Sequence, residues 1–194
     1  MSRRVFTKEQ GYRPIDLLHA ASDHLFAANV LFSISGFFRA VGVLDVDVEA
    51  PRCLDSAGYL SHLGIELLLK AFLLNVIGNF RDDHSLTNLL RALEANGVKF
   101  TLNEEQVATV KQLDQFYHLR YPQTVGSLSV GDLDWPAIHS LFSALGDRLP
   151  EKLQRDLINL DRTRKFGRVL MKKQKDGLPF EGHVIVVDTP KMGK

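Results

Sequence analysis

The stretch YLSHLGIELLLKAFLL, residues 59–74, decides how this chain is read. It is apolar on most sides of a helix, and a helix of that kind lies at the centre of a bundle, largely buried. Three ionisable residues interrupt it: His62, Glu66 and Lys70, at steps of four, which stack them along one narrow stripe. If the stripe reaches solvent, it is an ordinary Glu–Lys pair worth about 0.3–0.5 kcal/mol. If it faces a seam between helices, a histidine beside a carboxylate can bind or orient a ligand. Both readings stay open from the sequence alone.

Helical periodicity extends on both sides. Upstream, Pro14 suits a first helical turn, and Leu17, Leu18, Ala21, Leu25, Ala28 and Phe32 recur at three- and four-residue spacing. That predicts a helix from 14 to about 39, weakened at Gly36, then a loop through GVLDVDVEAPR. Asp55 or Ser56 reads as the cap of the central helix, and Gly78 as its end. After the loop GNFRDD, the segment HSLTNLLRALEANG predicts a short helix closed by Gly97. Asn103 and Gln106 have capping-box spacing, and Val107, Val110, Leu113, Phe116 or Tyr117, and Tyr121 form an apolar stripe that Pro122 ends. Asp134 is placed to cap another helix with Ile138, Leu141, Phe142 and Leu145 inward, and Pro150 kinks it or starts the next.

The last segment differs. RVLMKK and HVIVVD favour strands, with the turn-forming KDGLPFEG between them. The expected architecture is therefore all-α: an up-and-down bundle of four to six helices over residues 10–160, with a C-terminal β-hairpin appendage at 161–194. An isolated hairpin is marginal in water, so it needs the bundle or a second subunit to pack on.

Charge separates the same two regions. Residues 1–150 hold 13 Lys/Arg against 17 Asp/Glu, whereas residues 151–194 hold 11 against 6. The run RTRKFGRVLMKKQK, residues 162–175, has seven basic side chains and no acidic one. It reads either as a solvated edge whose lysines block aggregation or as a phosphate-contacting arm, with Arg164, Lys165, Arg168 and Lys172 as contacts and Phe166 for stacking. A single cysteine, Cys53, excludes an internal disulfide and a four-thiolate metal site. The N-terminal basic residues precede no apolar core, and the oiliest windows, 25–38 and 63–77, read as too short and interrupted to span a bilayer. A cytoplasmic protein without membrane association is expected.

Familiar catalytic motifs are missing. There is no phosphate-binding glycine loop, GSLSVG puts its second serine one place late for a nucleophile elbow, and His-Glu-x-x-His is absent. His62 with Glu66 and His19 with Asp23 place a histidine and a carboxylate one turn apart, but neither pair makes a metal motif, so no metal or cofactor is expected.

Three pieces in order, IELLLKAFLL with its E-x-x-x-K pattern, HSLTNLL after a short loop, and FYHLRYP at a helix end, resemble the HEPN family (higher eukaryotes and prokaryotes nucleotide-binding domain) over about residues 15–150. The resemblance implies a helical bundle, a homodimer, and a setting in toxin–antitoxin, defence or RNA-processing systems beside nucleotidyltransferase-type partners. It matches Glu66, Lys70, His84, Arg120 and Tyr121 to recurring polar positions. Active members are metal-independent endoribonucleases with an Arg and a His four to six residues apart on a late helix. Here the next histidine after Arg120 is His139, and His118 is two residues before it, which on a helix diverges by about 200°. Arg13 and His19 have the spacing but on the first helix, where the family does not place it.

The functional expectation is a dimeric helical protein binding RNA or a nucleotide-associated partner through His62, Glu66, Lys70, His84, Arg120, Tyr121 and the basic tail. The alternatives are a non-enzymatic scaffold, and a ribonuclease with a non-standard site that uses Arg120 with His84. Such cleavage needs a base for the 2′-hydroxyl and a cation for the developing phosphorane charge.

Overall fold

A computed structural model describes residues 4–41, 50–117, 133 and 135–155, with side chains from 4–33 and 54 onward within those spans. In chain order the elements are β1 (Val5–Thr7), a 3-10 turn (Lys8–Gln10), α1 (Pro14–Val41), α2 (Ala50–Ile77), β2 (Asn79–Arg81), α3 (Leu86–Ala95), α4 (Glu104–Phe116) and α5 (Trp135–Gly146). Residues 151–155, directly after Pro150, are helical again.

The apolar periodicity of α1 folds as the spacing implies, with Leu18, Ala21, Leu25 and Ala28 buried. These residues pack on α2, which runs antiparallel: Lys8 N–H bonds to the Gly78 carbonyl at one end, while Leu25 and Ala21 lie against Gly64 farther along. Gly64 is required there, because a Cβ would sit 2.6 Å from Leu25 Cγ and 3.1 Å from the Ala21 carbonyl. α2 is the axis of the molecule, touching α1, α3, α4 and β2, and Ile65, Leu68, Leu69, Phe72 and Leu74 are sealed inside. The helix Leu54–Ile77 is long and apolar enough to cross a membrane, contrary to the sequence expectation, but 67% of its most apolar window is buried inside the bundle. It is used as a core.

α2 also starts earlier than expected, at Ala50 rather than at an Asp55 or Ser56 cap. Pro51 is compatible with a first turn, so nothing local stops the helix before Asp55. That places Asp55 inside the helix, where Oδ1 is buried without a hydrogen bond and burial pushes the carboxyl above its ordinary value.

α3 begins at the Ser85 cap and ends in paired backbone bonds, Gly97 N to the Glu94 carbonyl and Val98 N to the Leu93 carbonyl, with Gly97 at φ 86°. α4 opens with the expected box: Gln106 N to Asn103 Oδ1 at 2.8 Å and Asn103 N to Gln106 Oε1 at 3.0 Å. Its stripe is rotated from the expectation. Val107 is 39% exposed, whereas Gln106, Thr109, Val110, Leu113 and Phe116 are buried. Gln106 tolerates burial because its Nε2 donates to Ser140 of α5. In α5, Ile138, Leu141 and Leu145 are buried and Phe142 packs against them.

The fold is mainly helical, as expected. Its small antiparallel sheet joins β1 to β2, with Val5 opposite Arg81 and Thr7 opposite Asn79. The sequence expectation put residues 79–81 in a loop and gave no element to residues 5–7. Phe6 stacks on Phe80 with Tyr12 at their edges, and Asp82 N–H donates to the Arg4 carbonyl. The expected hairpin at 161–194 and the Asp134 cap lie outside the described residues.

Candidate functional site

The polar stripe of α2 faces inward. His62, Glu66 and Lys70 are 1%, 2% and 5% exposed, so the solvent-edge reading is excluded and the stripe lies between packed elements. Lys70 Nζ donates to Glu66 Oε1 at 2.6 Å and sits over the Phe80 ring, which β2 supplies. A buried cation is tolerable only with such a partner.

The same Glu66 oxygen accepts a second bond, from His84 Nδ1 at 3.0 Å. His84 lies in the segment between β2 and α3, and β1 holds that segment through the Asp82–Arg4 backbone bond. Its ring stacks on Tyr117 at 4.9 Å and 16°. Its other nitrogen, Nε2, lies 3.2 Å from Asp82 Oδ1. An imidazolium can serve both acids at once, whereas the neutral ring can donate to one.

His62 holds His84 from behind. Its Nε2 lies 3.0 Å from the His84 carbonyl, and because a carbonyl only accepts, the proton is on Nε2. Burial drives the His62 ring below its ordinary value, outweighing the nearby carboxylates of Glu66 and Asp114. His62 is therefore neutral at pH 7.

Asp114 of α4 completes the frame and was not found from the sequence. Oδ1 accepts Leu86 N–H at 2.6 Å; Oδ2 accepts Thr87 N–H at 3.2 Å, Thr87 Oγ1 at 2.8 Å and Ser85 Oγ at 3.2 Å. It is a tertiary cap for α3, placing a carboxylate where the first-turn amides need an acceptor. Asp83 acts beside it, accepting from Ser85 N and Asn88 Nδ2. The only sequence signal is Ser85 and Thr87 at the start of α3; nothing local to Asp114 shows that it crosses to another helix.

A cleft of about 410 Å³ opens here, with His84 in its wall beside Asp82, Asp83, Ser85, Asn88, Asp114 and Tyr117. Among the described residues, three aspartates and no lysine or arginine line it. Of the expected binding residues, His62, Glu66, Lys70 and His84 are brought together, but only His84 reaches the cleft. Lys70 is buried and paired with Glu66. Arg120, Tyr121, Arg164, Lys165, Arg168 and Lys172, with His118, lie outside the described residues. Arg13 pairs with Asp16 in the first turn of α1, and no group of three or more metal-ligating side chains forms among the described residues.

Compared with known proteins, residues 52–134, less than half of the chain, match the family model for the HEPN domain. The match spans His62, Glu66, Lys70, His84, Asp114 and Tyr117. No curated protein and no solved structure matches the chain.

Proposed function

We propose that this chain is a HEPN-type, dimeric helical protein that binds RNA or a nucleotide-associated partner, a reading supported by the match of residues 52–134 to the HEPN domain. The observation that supports this most directly is His84, a half-open imidazole on a cleft wall, held by buried Glu66, backed by His62 and stacked on Tyr117. An imidazole stacked on an aromatic ring and fixed at Nδ1 suits contact with a base or ribose, whereas phosphates would fall to Arg120 and the basic run 162–175. The setting that fits is a cytoplasmic toxin–antitoxin, defence or RNA-processing system, with a nucleotidyltransferase-type protein as partner. Titrating purified protein with RNA and with nucleotides at several salt concentrations tests the reading. Affinity should fall with salt and drop in His84→Ala and in Arg120→Ala. Absence of salt-sensitive binding to either class overturns it.

The acidic cleft lining supports a second reading, a non-enzymatic scaffold that receives a basic side chain of a partner protein. Deleting residues 162–194 separates the two: loss of RNA affinity with the dimer kept favours nucleic-acid binding, and loss of the dimer without a ligand phenotype favours scaffolding. Ribonuclease activity ranks behind both, because no histidine follows Arg120 at the nuclease spacing. It would require metal-independent RNA cleavage that His84→Ala abolishes.

A further inference from the structure

We propose that His62 is a proton-operated latch on the His84 cleft: a proton taken up at His62 Nδ1 draws the Glu66 carboxylate away from His84 and breaks the hydrogen bond that fixes its Nδ1. The latch belongs to the conformational equilibrium of the protein itself and stands whether the cleft takes RNA, a nucleotide or a protein.

The geometry has one carboxylate loaded on one side only. Glu66 Oε1 carries both Lys70 Nζ, at 2.6 Å, and His84 Nδ1, at 3.0 Å. Oε2 is buried and makes no hydrogen bond. His62 Nδ1, the one nitrogen of that ring without a proton, lies 3.9 Å from it. A protonated Nδ1 would be a charged donor facing an unused acceptor, and such bonds settle at about 2.7–2.9 Å. Closing the gap therefore requires Oε2 to move by about 1 Å, and the rigid carboxylate carries Oε1 with it. Lys70 lies one turn along the same helix on a four-carbon stem and can follow. His84 sits on another segment, stacked on Tyr117 and with Nε2 3.2 Å from Asp82 Oδ1, and loses only the Glu66 acceptor at Nδ1.

Among the described residues, these charged or titratable groups face His62. On α2 these are Glu66 and, through it, Lys70. The segment before α3 contributes His84, whose carbonyl takes the Nε2 proton. On α4, Asp114 Oδ1 lies 3.9 Å from Nε2, and the Tyr117 ring centroid is 6.0 Å away. The two carboxylates favour a charged His62, but burial disfavours it and is the larger effect, so the latch is shut at neutral pH.

Ring ¹⁵N and ¹³C shifts of both histidines in the full-length protein, followed by NMR from about pH 8 to about pH 5, test the proposal. The His84 Nδ1 signal should change with the His62 midpoint. Amide exchange at residues 82–85, corrected for intrinsic pH dependence, should accelerate below that midpoint by up to about tenfold per pH unit, the limit for one coupled proton. His62→Gln retains an amide donor for the His84 carbonyl but cannot titrate, and should abolish both changes. A His84 Nδ1 signal with no transition at the His62 midpoint in the wild-type protein overturns the latch even if that variant fails to fold. So does acid-induced exchange at 82–85 that persists in His62→Gln.

Discussion

Glu66 is a buried carboxylate serving three basic side chains, two by hydrogen bonds and one across a 3.9 Å gap. Its removal should be costly for a specific reason: it strands the Lys70 charge at 5% exposure. Glu66→Leu should lose about 3–5 kcal/mol in urea unfolding, whereas Glu66→Leu with Lys70→Met should recover most of that loss, since a buried pair replaced whole by apolar groups is near neutral. His62 carries a prediction of opposite character. Its ring is held below the ordinary histidine value by burial, so the unfolded chain binds the proton first as pH falls. The stability it contributes is complete above the ordinary histidine range and is lost as pH drops toward the folded value. Acid unfolding curves should therefore be shallower in His62→Phe than in the wild-type protein between about pH 6.5 and the lower folded value.

At the scale of elements, two contacts set how the helices meet. Gly64 lets α1 approach α2, and the backbone carbonyl of Ala21 limits what can yield there. Gly64→Ala should destabilise by about 1–3 kcal/mol through overpacking, although alanine is the better helix former by about 1 kcal/mol. Thermal unfolding reports which wins. Asp114 ties α3 to α4 through Leu86 and Thr87 N–H. Asp114→Ala should cost about 1–3 kcal/mol by unpairing these donors, and hydrogen exchange should rise first in residues 86–88. Gly97 at the end of α3 and the Asn103–Gln106 box of α4 were legible because they act within a few residues of chain, whereas the Ser85 cap was not singled out. The rotated α4 stripe was not legible: Gln106 is buried because Ser140, 34 residues away, receives its amide.

For the whole molecule, the described N-terminal segment belongs to the site's support rather than to a loose end. β1 pairs with β2, Phe6 covers Phe80, and Phe80 in turn covers Lys70. Removing residues 1–7 should lower the melting temperature and accelerate amide exchange at Asp82, whose donor loses the Arg4 carbonyl. Retained protection at Asp82 would show that the segment before α3 stands without the sheet.

The chain by itself determined its helices, most of their caps, the central place of residues 59–74 and the family resemblance, because apolar period and capping are written in neighbouring residues. It also picked out His62, Glu66, Lys70 and His84 without distinguishing frame from surface. Only the tertiary structure decided that three of them are buried and one lines a cleft, and that Asp114 and a three-residue strand hold that cleft in place. Those assignments depend on which side chains meet across separations such as the 28 residues from Leu86 to Asp114, and local spacing carries no record of that meeting.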